Sequence, residues 1–336
     1  MPKSVSDQVV IIIGASSGLG RQTALELADR GATVVISSRS EQALESLADE
    51  LDRRGAKAVM AVPCDVTDDH MVDHLVAVCV ERFGRIDTLM VMPAVTIYAR
   101  VEHTTLAEYE RVLDVNYLGY VRAAKSALRI FRRQGYGTLI NVASALTGAG
   151  LPLQSAYASA AQSTISFTRT LHEELQGTNI DVSLVLAGSM ATPLATKHAR
   201  SKTGMMPKSM GPVSHPKTVA KKLVKCAERP AEVLTANLSS KAFYPASRAA
   251  PGLLGRMLGA VGDRLQMTRH PEASHGHDNV DEPMPGEGSV LGAEEPTVQR
   301  LGRWARSHPG RVVLGAAVLA VAAFAFARSF SHGMRG

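Results

Sequence analysis

The sequence predicts an α/β protein built on a doubly wound parallel sheet, and three observations predict it. Short β-branched runs alternate with helical segments from residue 9 to about 188. The runs are apolar throughout rather than at every second residue, as strands covered on both faces must be. The first run leads straight into a glycine-rich turn that opens a helix, which is where such sheets hold anionic ligands. The chain has 336 residues, 45% of them hydrophobic and only 4% aromatic. That is enough material for one large core filled by small side chains.

Taken in order, the expected strands are 9–13 (V-V-I-I-I), 32–37 (A-T-V-V-I-S), 58–62, 86–92, 137–143 and 180–186, with a further one near 232–237. Between them apolar residues recur at helical spacing, as in Ala24, Leu25, Leu27 and Ala28, or Leu44, Leu47 and Leu51. Residues 189–216 break the alternation with Met, Lys, Thr, Ser and Pro. The position after a strand's carboxyl end makes this stretch a substrate loop or lid.

One dinucleotide-binding domain is therefore expected over residues 1–265. A flexible linker is expected over 266–305, where the composition turns polar and acidic with Pro and Gly. His270, His275 and His277 fall there, and they read as part of an unstructured tract rather than a metal site. Residues 306–336 form a hydrophobic terminal segment. Its core, V-V-L-G-A-A-V-L-A-V-A-A-F-A-F-A at 312–327, is uncharged and apolar on every side. As a helix it would span roughly 24 Å, close to a ~30 Å hydrocarbon core with snorkelling arginines at both ends. A C-terminal transmembrane helix is expected, with the folded domain in the cytoplasm because arginines are denser before the run. The apolar run beginning at residue 9 leaves no secretory signal ahead of it.

Composition excludes several classes. Cys64, Cys79 and Cys226 are too widely spaced for a zinc site or a disulfide framework. The net charge of +6 is spread over helix faces without interleaved aromatics, so no nucleic-acid partner is expected.

The turn G-A-S-S-G-L-G occupies residues 14–20. Gly14 permits the tight turn, Gly18 lets the backbone approach a pyrophosphate, and Gly20 lets helix and strand pack. Ser16, Ser17 and Leu19 complete the loop whose amides face the ligand. The second strand ends at Ser38 and Arg39. An acidic residue there would take a ribose 2′-hydroxyl, whereas an arginine pairs with a 2′-phosphate, so NADP is expected over NAD.

Several stretches together resemble the short-chain dehydrogenase/reductase family in its NADP-preferring branch, over roughly residues 7–245. They are G-A-S-S-G-L-G at 14–20, C-D-V at 64–66, N-Y-L-G at 116–119, N-V-A-S at 141–144 and Y-A-S-A at 157–160. The stretch before Tyr157 looks like that of a bacterial subgroup whose members continue into a C-terminal extension containing P-G-L-L, found here at 251–254. The resemblance implies a Rossmann-type fold. It implies that Asp65 and Val66 meet the adenine, that Ala94 lies beside the cofactor, and that Gly188 and Thr192 meet the nicotinamide end. It also implies that Asn116 supports a water relay, Ser144 binds a substrate carbonyl, and Tyr157 transfers the proton. Ser144 and Tyr157 stand thirteen residues apart, as in the family.

The pattern breaks one turn after the tyrosine. The family carries lysine there, and this chain has Ala161. That lysine would lower the phenol pKa, and without it about one tyrosine in a thousand is ionised at pH 7. Alcohol oxidation should suffer most, since it needs a phenolate base. V-M-P-A at 91–94 replaces a polar, glycine-ending stretch, Ala187 stands where the family has proline, and Ile13 replaces a threonine. Two functions follow: a weak or reduction-biased NADP-dependent oxidoreductase, or a non-catalytic dinucleotide-sensing or scaffold protein. Leu151, Pro152 and Leu153 point to a small apolar carbonyl or alcohol substrate. Helices at 104–133 and 155–176 could pair in a homo-oligomer.

Overall fold

The computed structural model describes residues 3–271 and 278–307. Residues up to Glu294 form one compact unit, and Glu295 onward a second, within which the helix Thr297–Ser307 is described.

The strands are β1 Val9–Ile13, β2 Thr33–Ser38, β3 Ala58–Pro63, β4 Thr88–Val91, β5 Ile97–Tyr98, β6 Gly137–Ser144, β7 Ile180–Ala187, β8 Arg200–Ser201, β9 Met205–Pro207, β10 Val233–Thr235 and β11 Met267–Pro271. Seven of them form one parallel sheet in the order β10-β7-β6-β4-β1-β2-β3. The order reverses at β1, so a crevice opens beyond the carboxyl ends of β1 and β4, the place where open α/β sheets bind ligands.

The helices of the first unit are α1 Gly18–Ala28, α2 Glu41–Arg53, α3 Asp69–Phe83, α4 Leu106–Leu113, α5 Gly119–Gln134, α6 Ser155–Glu174, α7 Pro216–Glu228, α8 Leu238–Ala249 and α9 Pro251–Gln266. β1 shows why two layers of helix are needed. Ile11 and Ile13 join the cluster containing Val76, Ala123 and Phe131, while Val10 and Ile12 join the one containing Leu27, Leu47 and Leu223. All five β1 residues are buried, so alternate side chains supply both faces of the sheet. Ends are set locally. Ser40 and Asp68 accept backbone N–H groups of the helices they cap, Thr105 and Glu108 form a capping box on α4, and left-handed Gly84 and Gly135 stop α3 and α5.

Two expectations need revision. The loop 189–216 carries two short strands, β8 paired with β5 and β9 paired with β11. The tract 266–305 is not a featureless linker. β11 follows α9 without a break, and residues 278–294 belong to the first unit, with Val280 fully buried in its core. The polar composition misled because backbone carbonyls, rather than apolar side chains, attach most of this strap. The run at 312–327 lies outside the described residues. Among the described residues no helix is long and apolar enough to cross a membrane.

Candidate active site

The parallel register brings the sequence-marked residues to one edge. Ile13 pairs with Ser37 and with Val91, Val91 with Asn141, and Ser144 with Ala187. Gly14, Ser38, Arg39, Ala94, Ser144 and Gly188 therefore all emerge at strand carboxyl ends. They line one cavity of about 510 Å³ together with Ser16, Ser17, Gly18, Leu19, Gly20, Asp65, Val66, Asn116, Tyr157 and Thr192. Every catalytic and cofactor position marked from the sequence reaches this cleft, as does Leu151, whereas Pro152 and Leu153, also expected at the substrate, do not line it.

At the phosphate turn, shape leaves room only for glycine. Gly14 has φ +90°, and a Cβ there would lie 2.8 Å from the Pro93 nitrogen. A Cβ on Gly20 would sit 2.0 Å from the Gly14 carbonyl oxygen. Gly18, at φ +54°, packs against Thr192. The first turn of α1 presents amides that no helical carbonyl can reach; that of Gly18 donates to the Ser289 carbonyl at 2.8 Å, and the positive dipole end of the helix faces the cavity. A buried atom without a partner points the same way: Asn279 Oδ1 has no hydrogen bond, and Asn279 lines the cavity. Residues of this kind fit a dinucleotide: the glycine turn would hold its pyrophosphate, and Asp65, Val66 and Arg39 would meet its adenosine end.

Arg39 is partly desolvated, which lowers its pKa against the opposing pull of Asp65. Its guanidinium donates to the carbonyls of Asn279 and Asp281. Burial pushes the Asp65 carboxyl up, but hydrogen bonds from the Thr67 amide and hydroxyl and the charges of Arg111 and Arg39 bring it below the ordinary value. Gly188 donates to Asn237 Oδ1 at the start of α8, and a Cβ there would meet Ser239 Oγ at 2.2 Å.

At the other end of the cleft two hydroxyls meet. Ser144 ends β6 and Tyr157 lies in the first turn of α6. Burial raises the Tyr157 phenol above its usual value, and the nearby Ser144 hydroxyl offsets part of the rise. Ser144 Oγ accepts the Leu146 amide at 3.2 Å, a turn-serine role held while the residue lines the cavity. Leu153, just before the helix, has φ +66°, a strained setting for leucine. Ala161 faces the cavity where the family's lysine would stand.

Asn116 does something the sequence did not foretell. It lies in a π-helical turn, Asp114–Leu118, and its side chain clamps Val95 by donating to the carbonyl at 2.8 Å and accepting the amide at 2.9 Å. The Thr164 hydroxyl donates to its main-chain carbonyl at 2.7 Å. Asn116 thus holds the 91–95 stretch against the cleft. Sequence reasoning also missed a polar chain on the cavity wall. Thr96 Oγ1 donates to Gln154 Oε1, Gln154 Nε2 donates to Gln266 Oε1 at 2.7 Å, and Gln266 Nε2 donates to the Pro152 carbonyl. Isolated glutamines give no motif, and these lie 112 residues apart.

The family model "short chain dehydrogenase" matches residues 8–203, and the chain belongs to that family. Among its relatives, an uncharacterized oxidoreductase of Bacillus subtilis (strain 168), YxnA, is 32% identical over 275 residues, 80% of this chain and 76% of that protein. Levodione reductase of Leifsonia aquatica is 34% identical over 191 residues, covering 56% of this chain and 72% of the relative. A 3-oxoacyl-[acyl-carrier-protein] reductase of Synechocystis sp. (strain ATCC 27184 / PCC 6803 / Kazusa) is 31% identical over 192 residues, 57% of this chain and 77% of its own length. Among solved structures, that of a levodione reductase aligns with TM-score 0.60 at 24% identity, over 74% of this chain and all of the other, and supports the fold.

Proposed function

We propose that this protein is an NADPH-dependent reductase of small apolar carbonyl compounds, biased toward reduction because its proton-transferring tyrosine has no lysine beside it. The observation that supports the reading is that Ser144 and Tyr157 line the same cleft as the glycine turn, with the Ser144 hydroxyl near enough to offset part of the rise that burial imposes on the phenol. The bound nicotinamide would supply a hydride to the carbonyl carbon. Tyr157 then gives its hydroxyl proton to the carbonyl oxygen, and Ser144 donates a hydrogen bond to the same oxygen as charge collects there. A phenol kept neutral by burial is ready for this direction and unready for the reverse, which needs its anion. Leu151 and Leu146 line the cavity near the two hydroxyls, in keeping with an apolar substrate. Arg39 supports the preference for the 2′-phosphate.

Ala161 favours one other reading, a dinucleotide-binding protein without turnover. Attachment to a membrane through 312–327 and self-association through α4, α5 and α6 remain part of the proposal on sequence grounds. Titrating the purified chain with NADPH and a carbonyl panel is the test. Binding with substrate-dependent oxidation of NADPH is expected. Tyr157→Phe should cut turnover about 10²–10³-fold, as loss of a general acid does, while leaving NADPH affinity unchanged. Binding without oxidation of NADPH by any carbonyl would replace the reductase with the non-catalytic reading.

A further inference from the structure

Residues 278–294 cross the cleft from bank to bank. On the glycine-turn side, the Gly18 amide donates to the Ser289 carbonyl at 2.8 Å and Arg21 Nη1 to the Glu287 carbonyl at 2.8 Å. On the opposite side, the Gly292 amide donates to the Ala191 carbonyl at 3.0 Å, and the Ser209 amide to Glu294 Oε1 at 2.9 Å. Between them, Asp278 and Asp281 pair with Arg200 at 2.8 and 2.6 Å. Val280 anchors the strap in the core without exposure, and Arg111 Nε donates to its carbonyl at 2.8 Å.

The fit to the turn is as tight as the turn itself. Gly288 has φ +76°, and a Cβ there would sit 2.2 Å from the Ser16 carbonyl oxygen. A Cβ on Gly292 would meet the Thr192 carbonyl oxygen at 2.5 Å. Yet the strap does not fill the cleft. The cavity of about 510 Å³ persists beneath it, walled by Asn279, Met284 and Ser289 above and by the glycine turn below. Asn279 Nδ2 donates to the Ala94 carbonyl at 3.3 Å, whereas its Oδ1 is buried and accepts nothing. A buried amide oxygen costs free energy unless something donates to it. Its neighbours Arg39 and Ala94 place it over the adenosine end.

We infer that residues 278–294 are the roof of the nucleotide site, closing over the adenosine half of a bound dinucleotide, with Asn279 Oδ1 accepting an N–H or O–H of that half. This rests on the reading that the cleft takes a dinucleotide, though not on any turnover. A covering of this kind shields the ligand from water and must lift for exchange, so its chief effect falls on dissociation.

The test is binding of NADPH and of its two halves, adenosine 2′,5′-bisphosphate and nicotinamide mononucleotide, to the full chain. Gly288→Val should lift the strap off Ser16 without touching the substrate end. Tenfold or greater weakening for NADPH and for the adenosine half, a matching rise in the NADPH dissociation rate, and no change for the nicotinamide half are expected. Asn279→Ala, which removes the acceptor but keeps the glycine fit, should weaken the adenosine half several-fold. Comparing it on NADPH and on the deamino analogue, which lacks the adenine amine, tells amine from ribose hydroxyl: an effect lost with the analogue identifies the amine, and an equal effect the hydroxyl. Unchanged or tighter NADPH binding by Gly288→Val, at an unchanged melting temperature, would overturn the inference, because the strap would then be a spacer or a plug. Should the wild-type chain bind NADPH but never oxidise it, the reductase proposal fails and the roof still stands on these affinities. A wild-type chain that binds none of the three ends both.

Discussion

The two ends of the cleft are built by different means. At the adenosine and phosphate end the determinants are backbone shape. Gly14 and Gly20 pack so closely that a single methyl would collide, Gly18 holds a left-handed φ of +54° against Thr192, and the strap brings its own glycines to the same surface. At the hydroxyl end the determinants are side-chain chemistry, and there one charge is missing. Ser144 and Tyr157 line the same cavity, but Ala161 stands where the group that would tune the phenol is expected. The difference teaches that holding a nucleotide and moving a proton are separable properties of this site. On the proposed reading, a side-chain loss would leave the first intact and weaken the second.

The comparison breaks most completely at Gly20. In Gly20→Val the added Cβ would stand 2.0 Å from a backbone oxygen with nothing flexible to yield. Turn and helix start must move apart, and NADPH affinity should fall at least about a hundredfold, roughly 2.7 kcal/mol or more. Intrinsic fluorescence or calorimetric titration reads this directly. Retained affinity would show that the turn does not cradle the pyrophosphate.

A charge restored at 161 sharpens the other half. Ala161 is buried to 7% exposure and faces the cavity, so a lysine at this position has open space ahead of it. Its ammonium beside Tyr157 would favour the phenolate, each pKa unit of lowering multiplying the ionised fraction at pH 7 about tenfold. Ala161→Lys should therefore raise alcohol oxidation about 10–100-fold and carbonyl reduction far less. Rate measurements in both directions decide it. Equal gains in the two directions, or none, would argue against Tyr157 as the proton-transfer group.

How much of this was legible in the sequence differs between the two ends and the strap. The seven sheet strands, the glycine turn and the edge positions of Ser144, Gly188 and Arg39 followed from β-branched runs and strand–helix alternation, because sheet burial leaves a one-dimensional trace. The strap left none. D-N-V-D-E-P-M-P-G-E-G-S reads as a linker since it attaches through carbonyls of residues 279, 281, 287 and 289, and a carbonyl carries no side-chain signature. Val280 is the one fully buried apolar residue of the strap, with Val290 packed partly buried against the core. Arg39 was placed rightly at the end of β2, but its hold on the strap required residues some 240 positions away. The clamp of Asn116 on Val95 depends on a π-helical turn, which periodicity does not reveal.

The smallest expected effect concerns the bank on which the strap leans. His198 lines the cavity, and its main-chain carbonyl accepts the Asn279 amide at 3.1 Å. Burial lowers its imidazole from 6.5 to about 4, with the neighbouring Lys197 charge adding to the fall. The folded chain thus keeps His198 neutral where an unfolded chain, with its ordinary pKa, takes up a proton. Between pH 6.5 and about 4 the unfolded state binds more protons, so this group's share of stability is whole above pH 6.5 and is lost as pH falls through that window. His215, lowered by burial and by Lys217, acts with the same sign. Asp65 and Glu108, held below their ordinary values, lose their contributions only at more acid pH. His198→Gln should accordingly flatten the decline of the melting temperature between pH 6.5 and 4.5 by a few degrees while changing little at pH 7.5. Because the folded chain keeps this imidazole neutral and the strap hangs on the main-chain carbonyl of the same residue, NADPH dissociation from the wild-type chain and from the glutamine variant should follow the same course between pH 6.5 and 4.5. Faster dissociation from the wild-type chain alone would show that His198 takes up a proton in the folded state and that its charge loosens the strap.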